Sequence, residues 1–393
     1  MLTRFVLPCV PLVAIAAFAG EAVATQHLVR AGDDWSVLKD RVKPGDEIIL
    51  MPGKHREVRF DGLKGEANRP ITIRSASSDA RNLATIAAVD VGIHLVDAEH
   101  VRIEHLLITG GRRAGVIVSG SDGGRSKHIA LTSIYVAKTG DMAERSGLLI
   151  DRTDHMTVKD CRFEAWHKAG VHIRGASDIA LVNAQFVGSP STPDEFGVLI
   201  DGRTSSVILQ RCRFAPGIAT AIALGPADGS AAPAASADPA NANAPTTESP
   251  VLVDGVTIER CLAKRPGTFI TFGSVANALV RANTVVDAGV GYAFVEAQRG
   301  FAPVRGSTLL ANLIVWTPGV MKSFAKAGGG SVPAGLSVEN NLWYSAELPA
   351  ALPLLGEFLG TVKSEQTLDI DPKLDGYDRP IEERAKLFGW TSA

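Results

Sequence analysis

Apolar and polar positions alternate along most of this chain, and the alternation keeps returning in the same form. Gly92, Gly115, Gly147, Gly170 and Gly197 each open one phrase, a glycine followed by an apolar, a variable and an apolar residue. The phrase continues more loosely from Ala221, Phe269 and Tyr292. A second apolar phrase follows at Ile129, Met156, Ile179, Val207, Val256, Ala278 and Thr308, and a third at Cys161, Ala184, Cys212 and Asn312. Three short strands in a period of roughly two dozen residues predict a right-handed parallel β-helix, an all-β solenoid. One coil cannot bury its apolar face alone, but coils stacked about 4.8 Å apart share a continuous core. Alternation places Val171 and Ile173 inside and His172 outside. A two-layer sandwich would show turn signals without this fixed period.

The repeat explains other residues. Cys161, Ala184, Cys212 and Cys261 share one place in successive coils and read as an inward stack of small residues. A bond between Cys212 and Cys261 would be strained, because side chains on parallel neighbours point the same way. Asn283, Asn312 and Asn340 predict stacked amides at the coil bends. Asp33 or Asp34 is placed to cap a short N-terminal helix whose apolar face is Trp35, Leu38 and Val42, closing that end of the stack. Residues 381–388 suggest a helical closing segment at the other end. The Ala/Pro/Ser/Asn tract at 226–250 reads as a low-complexity loop inserted in one coil, since the repeat resumes at Val251. The chain from 25 to 393 is thus predicted to be one domain.

Composition adds limits. The 393 residues are 46% hydrophobic and 21% charged, enough for a large core, and 39 glycines with only 6% aromatics suit a turn-rich β protein. Lys+Arg of 40 against Asp+Glu of 42 leaves a net charge of −2, with no basic excess for nucleic acid. Residues 1–24 read as a signal peptide: Arg4, an apolar run interrupted by Pro8 and Pro11, then Ala22, Val23 and Ala24 as a cleavage site. No other stretch predicts stable membrane insertion. The expectation is an exported monomer, periplasmic or extracellular.

The most polar outward column follows the first strand of each coil: Ser119, Asp151, Arg174, Asp201, Gly225, Gly273 and Glu296. Asp151, Arg174 and Asp201 fall on adjacent coils. They form either a salt-bridge ladder or a groove in which Arg174 holds a sugar carboxylate. His172 lies beside Arg174, with His167 and Lys168 in the preceding turn and Trp166 before them. For β-elimination from a uronate, His172 or Lys168 is the candidate base and Arg174 the neutraliser. Asp151, Arg174, Asp201, His167 and Trp166 are the candidate substrate contacts, Trp166 by stacking or, equally, by covering the core edge. An Asp151/Asp201 pair could hydrolyse or bind a cation, but Arg174 between them keeps both ionised and repels a metal. No metal ligand set is read from the residues.

The segment from Pro44 to Gly53, Pro-Gly-Asp-Glu-Ile-Ile-Leu-Met-Pro-Gly, precedes Asn-Arg-Pro-Ile-Thr-Ile from Asn68 to Ile73. Together they resemble the opening of the chondroitinase B/alginate lyase family of β-helix polysaccharide lyases. With the coils, the resemblance covers most of residues 30–320. It implies a lyase with a catalytic lysine and arginine, and with calcium held by carboxylates as a cofactor. The catalytic positions depart from that pattern. Gly273 stands where the lysine would be, Phe269 and Thr271 where acids would be, and Glu296 where the arginine would be. The sequence therefore reads as an exported protein that binds an acidic polysaccharide and, if catalytic, cleaves it by β-elimination. The alternative is a non-catalytic carbohydrate-binding or structural β-helix protein of the cell envelope.

Overall fold

Each turn of the chain lays one short strand in each of three sheets. The computed structural model describes residues 24–139, 146–189, 194–225, 250–296, 301–321, 323–327, 335–348, 361–363, 366–367, 371–375, 379–383 and 385–389. The expected signal peptide, apart from Ala24, and the 226–250 tract, apart from Pro250, lie outside them. Among the described residues the sheets hold fourteen, ten and twelve strands, and the pairings between their strands are parallel. One coil shows the plan: Ala169–Arg174 lies in the ten-stranded sheet, Ser177–Val182 in the fourteen-stranded and Gln185–Val187 in the twelve-stranded. The protein is a right-handed parallel β-helix.

Inward positions stack by register. Leu148 pairs with Val171 and then Val198, and Ile150 with Ile173 and then Ile200, all fully buried. The repeated glycine has a steric cause. A Cβ on Gly147, Gly170 or Gly197 would lie 2.9, 2.7 and 2.7 Å from the rings of Phe163, Phe186 and Phe214 in the twelve-stranded sheet. Those rings stack at 5.5 and 4.8 Å and cross the interior to the glycine column. Further along, Ala263 and Val285 stand in place of the phenylalanines while Phe269 and Tyr292 replace the glycines, their rings 5.5 Å apart. The aromatic layer has crossed from one sheet to another.

The bend into the twelve-stranded sheet uses one residue in the left-handed region and then one pointing inward. Asp160, Asn183, Arg211 and Arg260 take φ of 54 to 56°, ahead of Cys161, Ala184, Cys212 and Cys261. The three cysteines are buried and free. Burial pushes the Cys161 thiol up to about 12 and that of Cys261 well up, so both are inert. The same column then becomes an amide ladder of Asn283, Asn312 and Asn341. Asn312 Nδ2 donates to Asn341 Oδ1 at 2.8 Å, and Asn312 Oδ1 accepts from Asn283 Nδ2 at 2.9 Å. Asn340, expected in the ladder, is instead the left-handed residue of the bend, with φ 51°.

Both predicted end helices are corrected. Asp34 does accept from the main-chain N–H and hydroxyl of Ser36, at 3.1 and 2.7 Å. The chain beyond it forms only a five-residue 3-10 turn, Ser36–Asp40, because it must turn again at Pro44 to Asp46 before the strand Glu47–Leu50. The apolar side of that turn nevertheless packs as expected, with Trp35 edge-on to Phe60 at 5.7 Å and Leu38 and Val42 against the core. At the far end, Ala385–Leu387 is a single 3-10 turn. Ala385 and Phe388 pack on Leu313 and Leu342, outward positions of the twelve-stranded sheet, so this segment covers a side of the stack. No helix of the described residues is long and apolar enough to cross a membrane.

Candidate functional site

The outer face of the ten-stranded sheet carries the polar column that alternation places there. Ser119 is the register partner of Asp151, Asp151 of Arg174, and Arg174 of Asp201. The charges resolve into two pairs. Arg174 holds Asp151 side-on, Nε to Oδ1 at 3.2 Å and Nη2 to Oδ2 at 3.4 Å. Asp201 faces His172, whose Nε2 lies 3.2 and 3.1 Å from its two oxygens. Both aspartates are largely buried, while the Arg174 side chain keeps 40% exposure. Arg152 Nη2 also reaches Asp151 Oδ2, at 3.5 Å. Asp201 can fix the His172 tautomer by accepting from Nε2, leaving Nδ1 as an acceptor. The His172 side chain is only 7% exposed, between Leu149 and Leu199 in register.

The other candidates are not gathered there. Trp166 is buried in the core, edge-on to Phe186 at 6.1 Å, so it covers core and offers no face for stacking on a sugar. His167 is exposed, and its carbonyl accepts from the Glu195 N–H at 3.3 Å. Lys168 is buried, its carbonyl accepting from the Phe196 N–H at 2.8 Å. Four strand steps separate Lys168 from His172, about 13 Å along the strand, so one substrate carbon cannot meet both. Calcium does not fit the column either. Asp151 is bound to Arg174, and no group of three or more His, Cys, Asp or Glu among the described residues is arranged to hold a metal ion.

Farther along the same face, Phe196, Thr220, Thr271, Gly273, Phe294 and Glu296 line an open cleft of about 320 Å³. Gly273 and Glu296 are the positions where the family resemblance implies a lysine and an arginine. Rings, hydroxyls and one exposed carboxylate line it, with no cation among the described residues.

Two groups escaped the sequence reading. One is a cleft around His94 at the N-terminal end of the sheet, formed by residues scattered from Glu57 to Arg113. The other is a stack of His100, His128 and His155 on the fourteen-stranded sheet, ring centres 4.5 and 4.8 Å apart and planes within 4°. All three adopt φ near 50°. A count of histidines at matching coil positions would have found the stack.

The fold recurs in solved structures. An alginate lyase from Paenibacillus sp. str. FPU-7 aligns over 87% of this chain and 99% of its own, at 16% identity and a TM-score of 0.50. A lacto-N-biosidase from Eubacterium ramulus, as its selenomethionine derivative, aligns over 88% of this chain and 68% of its own, at 10% identity and a TM-score of 0.52. The likeness is one of fold, the β-helix that a polysaccharide lyase and a glycosidase both use. No family model matches the chain, and no curated protein matches it.

Proposed function

We propose that this is an exported β-helix protein that binds an acidic polysaccharide along the outer face of the ten-stranded sheet. The observation that carries the reading is the in-register column of Asp151, Arg174 and Asp201. Asp151 orients the Arg174 guanidinium while leaving it 40% exposed, so little side-chain freedom is lost when a sugar carboxylate docks. A repeating anionic chain suits a face whose own period repeats with every coil.

A second reading, β-elimination, is favoured by the contact of Asp201 with His172. In it His172 Nδ1 takes the proton beside a uronate carboxylate, Arg174 steadies the carboxylate, and the glycosidic oxygen leaves with a proton from water as a carbon–carbon double bond forms. The burial of His172 weighs toward binding without turnover.

The test measures binding of the mature protein to alginate, chondroitin, pectin and hyaluronan, and follows ultraviolet absorbance of an unsaturated product with and without calcium. Binding to at least one polymer, weakened about tenfold or more in Arg174→Ala, is expected from loss of a charge-assisted carboxylate contact. The melting temperature of that variant should change little, since an exposed pair contributes about 0.2–1 kcal/mol. A rise in absorbance supports elimination. A variant that melts early yet binds like the wild type makes the column a structural ladder and overturns the proposal.

A further inference from the structure

The outer columns of the ten-stranded sheet change character beyond Asp201. By register, Leu199 is followed by Ala223, Thr271 and Phe294. Beside them, Asp201 is followed by Gly225, Gly273 and Glu296, whose main-chain N–H groups donate to Ile200, Leu224 and Phe272 at 2.7 to 2.8 Å. Here lies the open cleft of about 320 Å³, with Phe196 on one side and Phe294 and Glu296 on the other.

Three of its residues meet at one corner. Thr271 and Phe294 are register partners on neighbouring strands, and Glu296 follows Phe294 by two residues, on the same side of the sheet. All three therefore lie within about 8 Å of one another, and Gly273, opposite Glu296, puts no side chain among them.

Two polar groups of the lining lack partners. The Glu296 carboxylate is exposed, with neither an ion pair nor a hydrogen bond among the described residues. Thr268 is only 8% exposed, yet its hydroxyl has no hydrogen-bond partner among the described residues. The cleft is the side from which a ligand can supply one.

We propose that this cleft is a subsite for one non-acidic sugar. Phe294 and Phe196 take its C–H faces, while Thr268, Thr271 and Glu296 bond its hydroxyl groups. A sugar hydroxyl donating to Glu296 makes a charge-assisted bond. A uronate there would set its carboxylate against Glu296 with no cation in the lining, so the residue that holds a neutral sugar rejects an acidic one. Lys326 pairs in register with Phe294 on the far side, beyond the lining. The inference rests on the reading that this face holds an acidic polysaccharide, and narrows it to a polymer in which non-acidic sugars recur between acidic ones. Gly273 lies three coils past Arg174, about 14 Å along the stack, so one chain can engage both sites.

Glucose and glucuronate probe the cleft through the methyl resonances of Thr268 and Thr271. At pH 7, glucose should shift them saturably in the wild type and in Arg174→Ala, and glucuronate should bind about tenfold more weakly. Phe294→Ala should lose the response. Glu296→Gln, a change at an exposed side chain, should bring the two sugars to within about threefold of each other. On the whole face, a hexasaccharide alternating glucuronate and N-acetylglucosamine should bind about tenfold more tightly than a mannuronate hexasaccharide. Absence of a glucose response overturns the subsite, even where the mannuronate hexasaccharide binds through Arg174. Glucuronate that binds as well as glucose in the wild type, but not in Lys326→Gln, makes the cleft an acidic-sugar site and equally overturns it. A saturable glucose response with neither hexasaccharide bound leaves the subsite standing and sinks the polysaccharide reading.

Discussion

His94 and His128 lie on different sheets but share a consequence for pH. Burial lowers the pKa of both, reinforced by Arg59 and Arg113 at His94 and by the flanking His100 and His155 at His128. A lowered imidazole pKa means the unfolded chain takes up the proton first. The stability these residues contribute is therefore full above the unfolded value of about 6.5 and is lost as pH falls toward the folded value. The carboxylates with depressed pKa, such as Asp90 and Asp154, act only at lower pH. Between about pH 6.5 and 4.5 the imidazoles dominate. Melting temperature should fall across that window, and His94→Asn should flatten the fall. The His94 share is on the order of 1–2 kcal/mol after allowance for solvent on the open side of its cleft. A melting temperature that does not vary across the window would show both rings are freely solvated.

At the level of strands and bends, the glycine phrase was legible because a missing side chain leaves a gap in an otherwise apolar alternation. Its cause was not legible: the rings that need the space come from another sheet. Gly170→Ala should destabilise by about 1–3 kcal/mol, because the new Cβ meets both the Phe186 ring and the Gly197 carbonyl. Phe186→Leu in the same chain should recover part of that, which a double-mutant cycle in urea would measure. Additive effects would mean that the ring is not what excludes the side chain. The amide ladder was read one residue early at its last rung, since Asn340 and Asn341 are identical neighbours and only the bend assigns the left-handed residue. Trp166 stayed open between two readings for a related reason. A turn has no period, so nothing in the sequence tells a ring facing sugar from one folded under the coil. The column of Asp151, Arg174 and Asp201 was legible because it follows the best-aligned phrase. The His94 cleft was not, since the Arg59 strand precedes the recognisable repeats.

Across the whole molecule, stability should behave as a sum over coils and the interfaces between them. Removing residues 147–169 takes out one full coil and joins Ser146 to Gly170, which already pairs with Phe186. Such a variant should still unfold in one cooperative transition, at a lower melting temperature. Loss of cooperativity on calorimetry would show that the coils are not interchangeable units there.

The crossing of the aromatic layer from the twelve-stranded to the ten-stranded sheet limits that freedom elsewhere. For a chain that lengthens by copying its own segments, the crossing acts as a fixed landmark. A copied coil of the glycine kind, placed among the coils of Gly147, Gly170 and Gly197, finds a void facing a ring on both sides. The same copy placed after the crossing brings Phe beside Phe269 or Tyr292, where no void remains. Growth and loss of coils are thus permitted within each half and barred across the middle, so the two halves can change length only independently.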